Sequence, residues 1–493
     1  MTVGAAESSA GEGASPAYDW LRAWTVSADV TMATGAGAPA LEARRQTRLD
    51  ELLRATYAQS AYYRRLWGRD PAGLRFEDLP AVRKRDLMAA FDDWVADPEV
   101  DLASLRRFTA DPTRIADPYL GRYVVWESSG SSGEPGIFIQ DASAMAVYDA
   151  LEAVRRPVMQ PLQRFLDPWA LGERYAFVGA VGGHFASTVS IERIRRLNPA
   201  LAPRLASISF LQPTVSLVAE LNRVAPTIIA TYPSAAVLLA EERRAGRLRI
   251  VPREVWTGGE NLSPPMRRFV REAFDCPVID SYGASEFLAL ASECALGHLH
   301  LNSDWAILEP VDARGRPMPA GKAGTTTLLT NLANRVQPLI RYDLGDRVAV
   351  HARGCPCGSA LPVIDVQGRC DQTLHFRGVD DRPVSLLPLA LSTILEDEAG
   401  LFDFRLVQQG PADLLLTTGL RGTSAGRALR RARLALTTFL LAQGTDRVRI
   451  RCRSGEPCLP GRSGKIQRVI ASGPAAGGSS RSSSAGSGST SSR

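Results

Sequence analysis

Residues 124–136 run Val124-Val125-Trp126-Glu127-Ser128-Ser129-Gly130-Ser131-Ser132-Gly133-Glu134-Pro135-Gly136, an apolar approach that opens into a loop of small residues. Glycines let several backbone N–H groups turn toward one point, and serine hydroxyls add further donors. The pattern therefore predicts a loop that wraps a polyphosphate. The loop lacks the Lys followed by Ser or Thr that ends the P-loop of NTPases, so it does not belong to that class. A solvated Ser/Gly turn is the alternative interpretation.

Several further motifs follow this loop in a fixed order along the chain. They are Trp256-Thr257-Gly258-Gly259-Glu260, Ser281-Tyr282-Gly283-Ala284-Ser285-Glu286, Arg341-Tyr342-Asp343-Leu344-Gly345-Asp346, Gly368-Arg369-Cys370-Asp371 and Ser463-Gly464-Lys465-Ile466-Gln467-Arg468. Together with the Ser/Gly loop, they resemble the adenylate-forming superfamily of acyl-CoA synthetases, adenylation domains and luciferases. Short runs at 293–294, 299–300, 338–342 and 355–358 resemble most closely the branch of phenylacetate-CoA ligase and coenzyme F390 synthetase. The resemblance extends over about residues 45–470.

The resemblance implies an AMP-forming acid ligase. Such an enzyme activates a carboxylic acid with ATP as an acyl-adenylate, releases pyrophosphate and passes the acyl group to CoA. The alternative is an enzyme that performs adenylation only and transfers the acyl group to an amine, a carrier-protein thiol or another nucleophile. A regulatory protein that only binds an adenylate is disfavoured because Glu286, Asp346 and Lys465 are all present.

The same resemblance assigns nucleotide contacts to the motifs. The loop would wrap the β- and γ-phosphates, the 258–260 segment would form a wall of the adenine pocket, Tyr282 would lie against adenine, and Asp346 would accept from both ribose hydroxyls. The predicted nucleotide-binding residues are Ser128, Ser129, Gly130, Ser131, Ser132, Gly133, Gly258, Gly259, Glu260, Tyr282, Gly283, Ser285, Asp346 and Arg369. Glu286 would hold Mg²⁺, which prefers carboxylate and phosphate oxygens. Individually, Asp346 could instead cap a turn and Glu286 could be a surface acid.

Lys465 and Asp371 complete the predicted catalytic set with Glu286. By the resemblance, Lys465 bridges the acid carboxylate and the α-phosphate, then leaves when a small domain rotates about Asp371. The glycines around Lys465 give the chain the freedom that a reaching side chain needs. A lysine near a chain end that is simply solvated is the alternative.

Cys294, His300, Cys355 and Cys357 offer three thiolates and an imidazole, a ligand set typical of structural zinc. The Cys355-Pro356-Cys357-Gly358 turn places two sulfurs side by side, where a disulfide would be strained. Some members of the resembled branch carry such a site. His298 is a rival ligand that spacing cannot separate from His300. Free buried thiols and a Cys/His nucleophile pair are the other interpretations.

The acid pocket is predicted around His184, Phe185, Tyr232 and Pro233, at the ends of predicted strands. Nearby glycines leave room for a flat molecule, so an aryl or arylacetic acid is the leading prediction, with a polyketide-type acid or an amino acid as competitors. His184 could equally be a core histidine. The chain departs from the family pattern at Glu134, where a basic residue is usual, and at Gln372, where a second acid is usual.

The predicted fold is α/β, with a large adenylate-forming domain of βαβ sheets and a strand-rich part, followed by a small α+β lid. We expect a disordered segment at 1–40, the large domain at 41–367, a hinge at 368–371, the lid at 372–470 and a Ser/Gly/Arg tail at 471–493. The formal net charge of +6 resides largely in Arg-rich helical stretches, such as 426–433, which favour a solvated helix face over a nucleic-acid surface.

Seven cysteines in a chain of 493 residues argue against a disulfide framework, and no long apolar segment or secretory signal stands out. We therefore expect a cytoplasmic protein that uses ATP, Mg²⁺, structural Zn²⁺ and CoA. The expected partners are a small carboxylic acid and CoA or another acceptor, with no nucleic acid and no membrane. Whether the chain forms a homodimer is left open.

Overall fold

A computed structural model gives the arrangement of most of the chain. It describes residues 18–128, 135–157, 159, 167, 172–260, 262, 264–352, 354–366, 374–379, 382–386, 390–391, 394–395, 398–401, 404–445, 448–456 and 469–470.

The N-terminal third is mainly helical. Its helices are α1 (Trp20–Thr34), α2 (Ala38–Gln59), α3 (Ala61–Trp67), α4 (Lys84–Ala89), α5 (Phe91–Trp94), α6 (Leu102–Thr109) and α7 (Ala142–Arg155). Several begin at a side chain that accepts from an N–H of the first turn, as Asp101 does for α6 and Asp141 for α7. An antiparallel hairpin of β1 (Val124–Glu127) and β2 (Ile137–Gln140) precedes α7 and carries the Ser/Gly loop between its strands.

A nine-stranded mixed sheet forms the centre of the molecule, in the order β13-β14-β9-β8-β7-β6-β5-β3-β4. The strands β4, β3, β5, β6 and β7 are parallel, and the remaining four continue the sheet antiparallel. Its strands are β3 (Tyr175–Gly179), β4 (Leu205–Ser209), β5 (Ile228–Thr231), β6 (Glu254–Thr257), β7 (Val278–Ala284), β8 (Phe287–Glu293), β9 (Leu299–Leu301), β13 (Val348–Val350) and β14 (Val363–Val366). The crossover helices are α8 (Ala186–Leu197), α9 (Thr214–Val224), α10 (Pro233–Arg244) and α11 (Pro264–Phe274).

Smaller sheets complete the described chain. They are the three-stranded β10-β11-β12 sheet, the β15-β16 hairpin and a four-stranded sheet in the order β19-β18-β17-β20. Their strands are β10 (Ala306–Val311), β11 (Thr326–Asn331), β12 (Tyr342–Asp343), β15 (Leu374–Arg377), β16 (Pro383–Leu386), β17 (Arg405–Gly410), β18 (Asp413–Thr418), β19 (Arg449–Ser454) and β20 (Val469–Ile470). Helix α12 (Gly422–Ala442) buries alanines such as Ala428 and Ala432 and exposes the arginines between them, as expected for a solvated Arg-rich face.

Two apolar cores underlie this arrangement. The first joins the N-terminal helices to β1, β2, α7, β8 and β10, and it contains the fully buried Trp94, Trp126 and Tyr148. The second joins the parallel strands and their helices to the C-terminal strands and α12. The C-terminal unit is thus packed on the same sheet whose strand ends carry the predicted site.

The predicted βαβ sheets of the large domain and its strand-rich part are confirmed. The prediction that residues 1–40 would not fold is wrong for residues 20–34, because α1 buries Val26, Val30 and Ala33. Residues 1–40 as a whole are rich in Ala, Gly, Ser and Thr, and that overall composition concealed the apolar positions of the helix. The hinge at 368–371 and residues 471–493 lie outside the described residues.

Across the part of the chain that the structure describes, no helix has both the length and the apolar character that a membrane span requires.

Candidate nucleotide and acid site

The two ends of the Ser/Gly loop are tied together. The Ser128 N–H donates to the Gly136 carbonyl over 2.8 Å, and the Gly136 N–H donates to Ser128 Oγ over 2.8 Å. These reciprocal bonds close the loop where the β1-β2 hairpin opens. The predicted phosphate contacts at Ser129, Gly130, Ser131, Ser132 and Gly133 lie outside the described residues.

Strand β1 brings the base of this loop to two other predicted motifs. Trp126 Nε1 donates to the Ser285 carbonyl over 2.8 Å, and the Glu127 N–H donates to the His184 carbonyl over 2.7 Å. Ser285 and Glu286 form the two-residue turn between β7 and β8, since Ala284 pairs with Phe287. The loop base, the Tyr-Gly-Ala-Ser-Glu motif and the segment after β3 are therefore neighbours.

Two tyrosines connect the predicted magnesium and ribose carboxylates to neighbouring strands. Tyr342 Oη donates to Glu286 Oε1 over 2.8 Å, and Tyr282 Oη donates to Asp346 Oδ2 over 2.8 Å. Burial, reinforced by the Glu286 carboxylate, raises the pKa of both phenols, so both hydroxyls remain donors at neutral pH. These bonds join the β7-β8 hairpin to the 342–346 segment.

Glycine is required at several positions of these motifs because neighbouring atoms lie where a side chain would begin. A Cβ on Gly283 would lie 1.9 Å from the Leu288 carbonyl oxygen, and one on Gly258 would lie 2.8 Å from Ser281 Oγ. Gly259 has a φ of +78° and would place a Cβ 3.1 Å from the Tyr232 ring. The backbone of the 258–260 segment therefore lies directly against β7 and Tyr232.

The predicted acid pocket is rich in aromatic rings. Tyr232 packs against Phe210 with ring centroids 5.8 Å apart and against Phe177 at 6.5 Å. A Cβ on Gly179 would lie 2.3 Å from the Phe177 ring, and one on Gly183 would lie 3.0 Å from Phe185. Pro233 begins α10 immediately after Tyr232. These residues border the same strand ends as the 258–260 segment.

His184 occupies a different environment from the other predicted pocket residues. Its side chain is 2% exposed and packs against Phe108 of α6, with ring centroids 5.5 Å apart. Burial lowers the pKa of His184, so the ring is neutral. Within the described chain, neither ring nitrogen has a hydrogen-bond partner. This placement favours the core interpretation of His184.

The four predicted zinc ligands form one cluster. Their ligand atoms all lie within 4.8 Å of one another, with Cys294 Sγ 4.0 Å from Cys355 Sγ and Cys357 Sγ 3.4 Å from His300 Nε2. Tetrahedral zinc with Zn–S bonds of about 2.3 Å separates two sulfurs by about 3.8 Å, so the spacing fits that geometry. His300 Nδ1 lies 2.9 Å from the Leu361 carbonyl, which directs Nε2 toward the sulfurs. His298 is exposed and outside this cluster.

Three further predicted residues, Lys465, Asp371 and Arg369, lie outside the described residues, so their roles stay predictions.

The structure also brings Lys84, a residue that the sequence motifs did not indicate, to the base of the Ser/Gly loop. A Cβ on Gly136 would lie 3.0 Å from Cδ of Lys84, so the stem of this lysine crosses the base of the Ser/Gly loop. The rarity of lysine could have indicated Lys84 from the sequence, because Lys84, Lys322 and Lys465 are the three lysines among 58 basic residues.

Asp280, at the start of the strand that carries Tyr282, is a buried carboxyl with an unusual pKa. Burial and the nearby Glu293 carboxylate raise the pKa of Asp280 to about 7. A hydrogen bond of 2.6 Å from Thr257 Oγ1 acts in the opposite direction and lowers this pKa. Glu293 is itself paired with Arg267 over 2.7 Å. Asp280 is therefore largely protonated in the folded protein below neutral pH.

Because the folded pKa of Asp280 exceeds its ordinary value of 3.8, the folded state binds the proton more tightly than the unfolded chain. Its contribution to stability is complete below about pH 4 and is lost as the pH rises through about 7. We expect Asp280→Asn to gain stability relative to the parent chain as the pH increases from 5 to 8. Urea unfolding at each pH measures this difference. A difference that does not change with pH would contradict the assignment.

Comparison with known proteins adds to this geometry. Residues 206–325, about a quarter of the chain, match the sequence family described as AMP-binding enzyme. A search of curated proteins returned no match.

Two matching crystal structures are of 2-hydroxyisobutyryl-CoA ligase. One, in the postadenylation state with a bound HIB-AMP, is 21% identical, covers 95% of each chain and has a TM-score of 0.52. The other, with 2-HIB-AMP and CoA in the thioesterification state, is 22% identical, covers 89% of this chain and 91% of that chain, and has a TM-score of 0.55. The described chain therefore has the α/β fold of the adenylate-forming enzymes, including its C-terminal unit.

Proposed function

We propose that this protein is an AMP-forming acid ligase, which joins a carboxylic acid to the α-phosphate of ATP, releases pyrophosphate and then transfers the acyl group to CoA. The observation that carries the proposal is the pair of bonds from Tyr342 to Glu286 and from Tyr282 to Asp346. These bonds support the proposal because they connect the Glu286 and Asp346 carboxylates, through Tyr342 and Tyr282, at the β7-β8 hairpin. The base of the Ser/Gly loop lies beside them through Trp126.

Each group in this arrangement has a defined task. Glu286 offers carboxylate oxygens for Mg²⁺, which when bound neutralises charge on the triphosphate. Tyr342 holds one oxygen of that carboxylate in place through its hydrogen bond. Asp346 can accept from two vicinal hydroxyls while Tyr282 orients it. The Ser/Gly loop supplies N–H and O–H donors for the phosphates, and Gly258 and Gly259 let the backbone approach a base closely.

We propose an aryl or arylacetic acid as the substrate. The support comes from the rings of Phe177, Phe210 and Tyr232, which lie at the same strand ends as the 258–260 segment. A flat acid can pack edge to face against such rings. CoA as the acceptor is supported by the fold shared with a ligase whose structure holds 2-HIB-AMP and CoA.

ATP–pyrophosphate exchange across a panel of acids tests the first half of the proposal. We expect benzoate-type and phenylacetate-type acids to stimulate exchange more strongly than short aliphatic acids. If none of the acids in the panel stimulates exchange, the proposed activity is refuted. If only aliphatic or amino acids stimulate exchange, the proposed substrate class is refuted. Mass detection of an acyl-CoA after CoA is added tests the second half. Exchange without a thioester would indicate the adenylation-only alternative.

We further propose that Cys294, His300, Cys355 and Cys357 hold a structural zinc ion. A site with four protein ligands leaves no open position for substrate, so its role would be to stabilise the fold. The zinc ion would join the end of β8 to the loop before β14. The start of β8 directly follows Glu286. The geometry that supports this proposal is the mutual approach of the four ligand atoms.

Two nearby histidines, His298 in the loop before β9 and His300 in β9, give a matched test of the zinc site. We expect His300→Ala to lose zinc and to lower the Tm by more than about 5 °C, because metal binding contributes directly to folding. His298→Ala should retain about one zinc per chain, because His298 is outside the cluster. Metal analysis and thermal unfolding of both variants measure this. Zinc retained in His300→Ala, or absent from the parent protein, would contradict the assignment.

Lys84 is proposed to supply the cation that the Ser/Gly loop lacks, since Glu134 stands where a basic residue is usual. Its helix begins beside the site because the Val82 N–H donates to the Arg341 carbonyl over 3.1 Å and the Asp343 N–H donates to the Val82 carbonyl over 2.9 Å. The lysine is therefore held between the loop base and the 341–343 segment.

Removal of the Lys84 charge should weaken ATP use. We expect Lys84→Met to raise the KM for ATP by about tenfold to a hundredfold, as for a lost charged hydrogen bond. Lys84→Arg should recover part of the loss, and Lys322→Met, at an exposed turn, should have no effect. Steady-state kinetics of pyrophosphate exchange measure these values. An unchanged KM in Lys84→Met would rule out this role.

A further inference from the structure

Helix α1 is apolar on two opposite sides. Its inner side, with Val26, Val30 and Ala33, is buried against the body of the protein. Its outer side carries four large apolar side chains, which we call the outer face: Trp20 is 69% exposed, Trp24 68%, Met32 62% and Leu21 55%. A surface helix ordinarily has polar or charged residues on that side.

No charge interrupts the outer face. Residues 20, 24, 28 and 32 follow one another at intervals of four, so Ala28 lies between Trp24 and Met32 on one stripe. Asp29 lies to the side and is paired with Arg44 and Arg48. Exposed apolar surface that is continuous and uncharged is typical of a protein contact, whereas isolated exposed apolar residues are ordinary.

The two terminal segments outside the described residues are poor candidates to cover this face. Residues 1–17 contain Met1, Val3 and Pro16 as their apolar side chains larger than alanine, and residues 471–493 contain only Pro474. Neither segment has enough apolar surface to bury two tryptophans, so a second molecule is the occupant that we consider.

The outer face is complementary to itself. In an antiparallel pair of α1 helices related by a two-fold axis at the level of Val26, Trp24 faces Ala28 of the partner subunit, and Trp20 faces Met32 of the partner subunit. Each bulky indole thus meets a small or a flexible side chain, the pattern that packs facing helices. Because a two-fold axis repeats each contact, both tryptophans of both copies are covered at once.

The available area matches a small dimer interface. Side chains of this size bury about 150–250 Å² each when aromatic, so the outer face offers about 500 Å² per copy and about 1,000 Å² for a pair. That total is about the minimum expected of a specific interface. We propose that the outer face of α1 is the contact between two copies of this chain, which pair through antiparallel α1 helices.

Sedimentation velocity of the full chain at micromolar concentrations tests this proposal. We expect a concentration-dependent dimer in the parent protein. Trp24→Glu should weaken the dimer by at least about thirtyfold, as for a central tryptophan of an interface. Leu434→Glu on α12, where the leucine is 69% exposed, is the matched control and should leave the dimer unchanged.

Ala28→Trp distinguishes a specific contact from general stickiness. It adds apolar surface, yet it should weaken the dimer because two indoles would then occupy the space of one. A parent chain that stays monomeric, or an Ala28→Trp variant that associates as strongly as the parent, would overturn the proposal. So would flotation of the parent chain, but not Trp24→Glu, with phosphatidylcholine vesicles, because a lipid surface would then be the partner.

Discussion

Glu286→Gln is expected to reduce ATP–pyrophosphate exchange by about 10²–10³-fold, the loss typical of removing one preorganised electrostatic group from a polar active site. Glutamine keeps the shape of the side chain and an oxygen that can accept from Tyr342 Oη. It loses the negative charge that a hard divalent cation requires. The loss should be partly offset by high Mg²⁺ concentrations, because a weaker site fills at a higher metal concentration. Exchange rates measured over a Mg²⁺ titration provide the test.

Tyr342→Phe is the matched control for that substitution. It leaves the carboxylate of Glu286 in place and removes only the 2.8 Å hydrogen bond that orients it. We expect a loss of about tenfold or less, in line with about 1 kcal/mol for a single hydrogen bond. Thermal unfolding should show that both variants are folded. A Glu286→Gln enzyme that keeps most of its exchange activity at low Mg²⁺ would exclude this carboxylate as the metal ligand.

The convergence of distant motifs was predictable from the sequence because the carboxyl ends of parallel strands share one edge of a sheet. The motif at 256–260 follows β6, and the motif at 281–286 ends β7, which is the next strand in the sheet. Strand runs of β-branched and apolar residues alternate with helical runs, which indicates parallel strands. The family resemblance implied that the two motifs belong to one site, and the observed strand order agrees with their closeness.

Other features depend on long-range packing that local pattern does not contain. Lys84 meets Gly136 because Val82 pairs with the 341–343 segment, which is far along the chain. The choice between His298 and His300 follows from the pairing of His300 with Val363 of β14, which brings its ring to the Leu361 carbonyl. Helix α1 was missed because its inner face consists of only three small apolar residues. In each case the deciding contact is with a distant segment.

Lys465→Ala is expected to lower acyl-adenylate formation by about 10²–10³-fold while ATP binding survives. The chain supports a specific role for this residue through its composition. Lysine occurs at only three positions among 58 basic residues, and arginine differs from lysine as a ligand because its charge is spread over a planar fork. A compact ammonium on a flexible stem suits a position between a carboxylate and a phosphate.

The two half-reactions separate a catalytic role of Lys465 from a structural one. If this lysine stabilises charge only during adenylation, Lys465→Ala should lose pyrophosphate exchange but still convert a supplied acyl-adenylate to the thioester. Lys322→Ala should match the parent enzyme in both assays. Equal losses in the two half-reactions of Lys465→Ala would instead indicate a structural role, and unaffected exchange would remove Lys465 from the catalytic set.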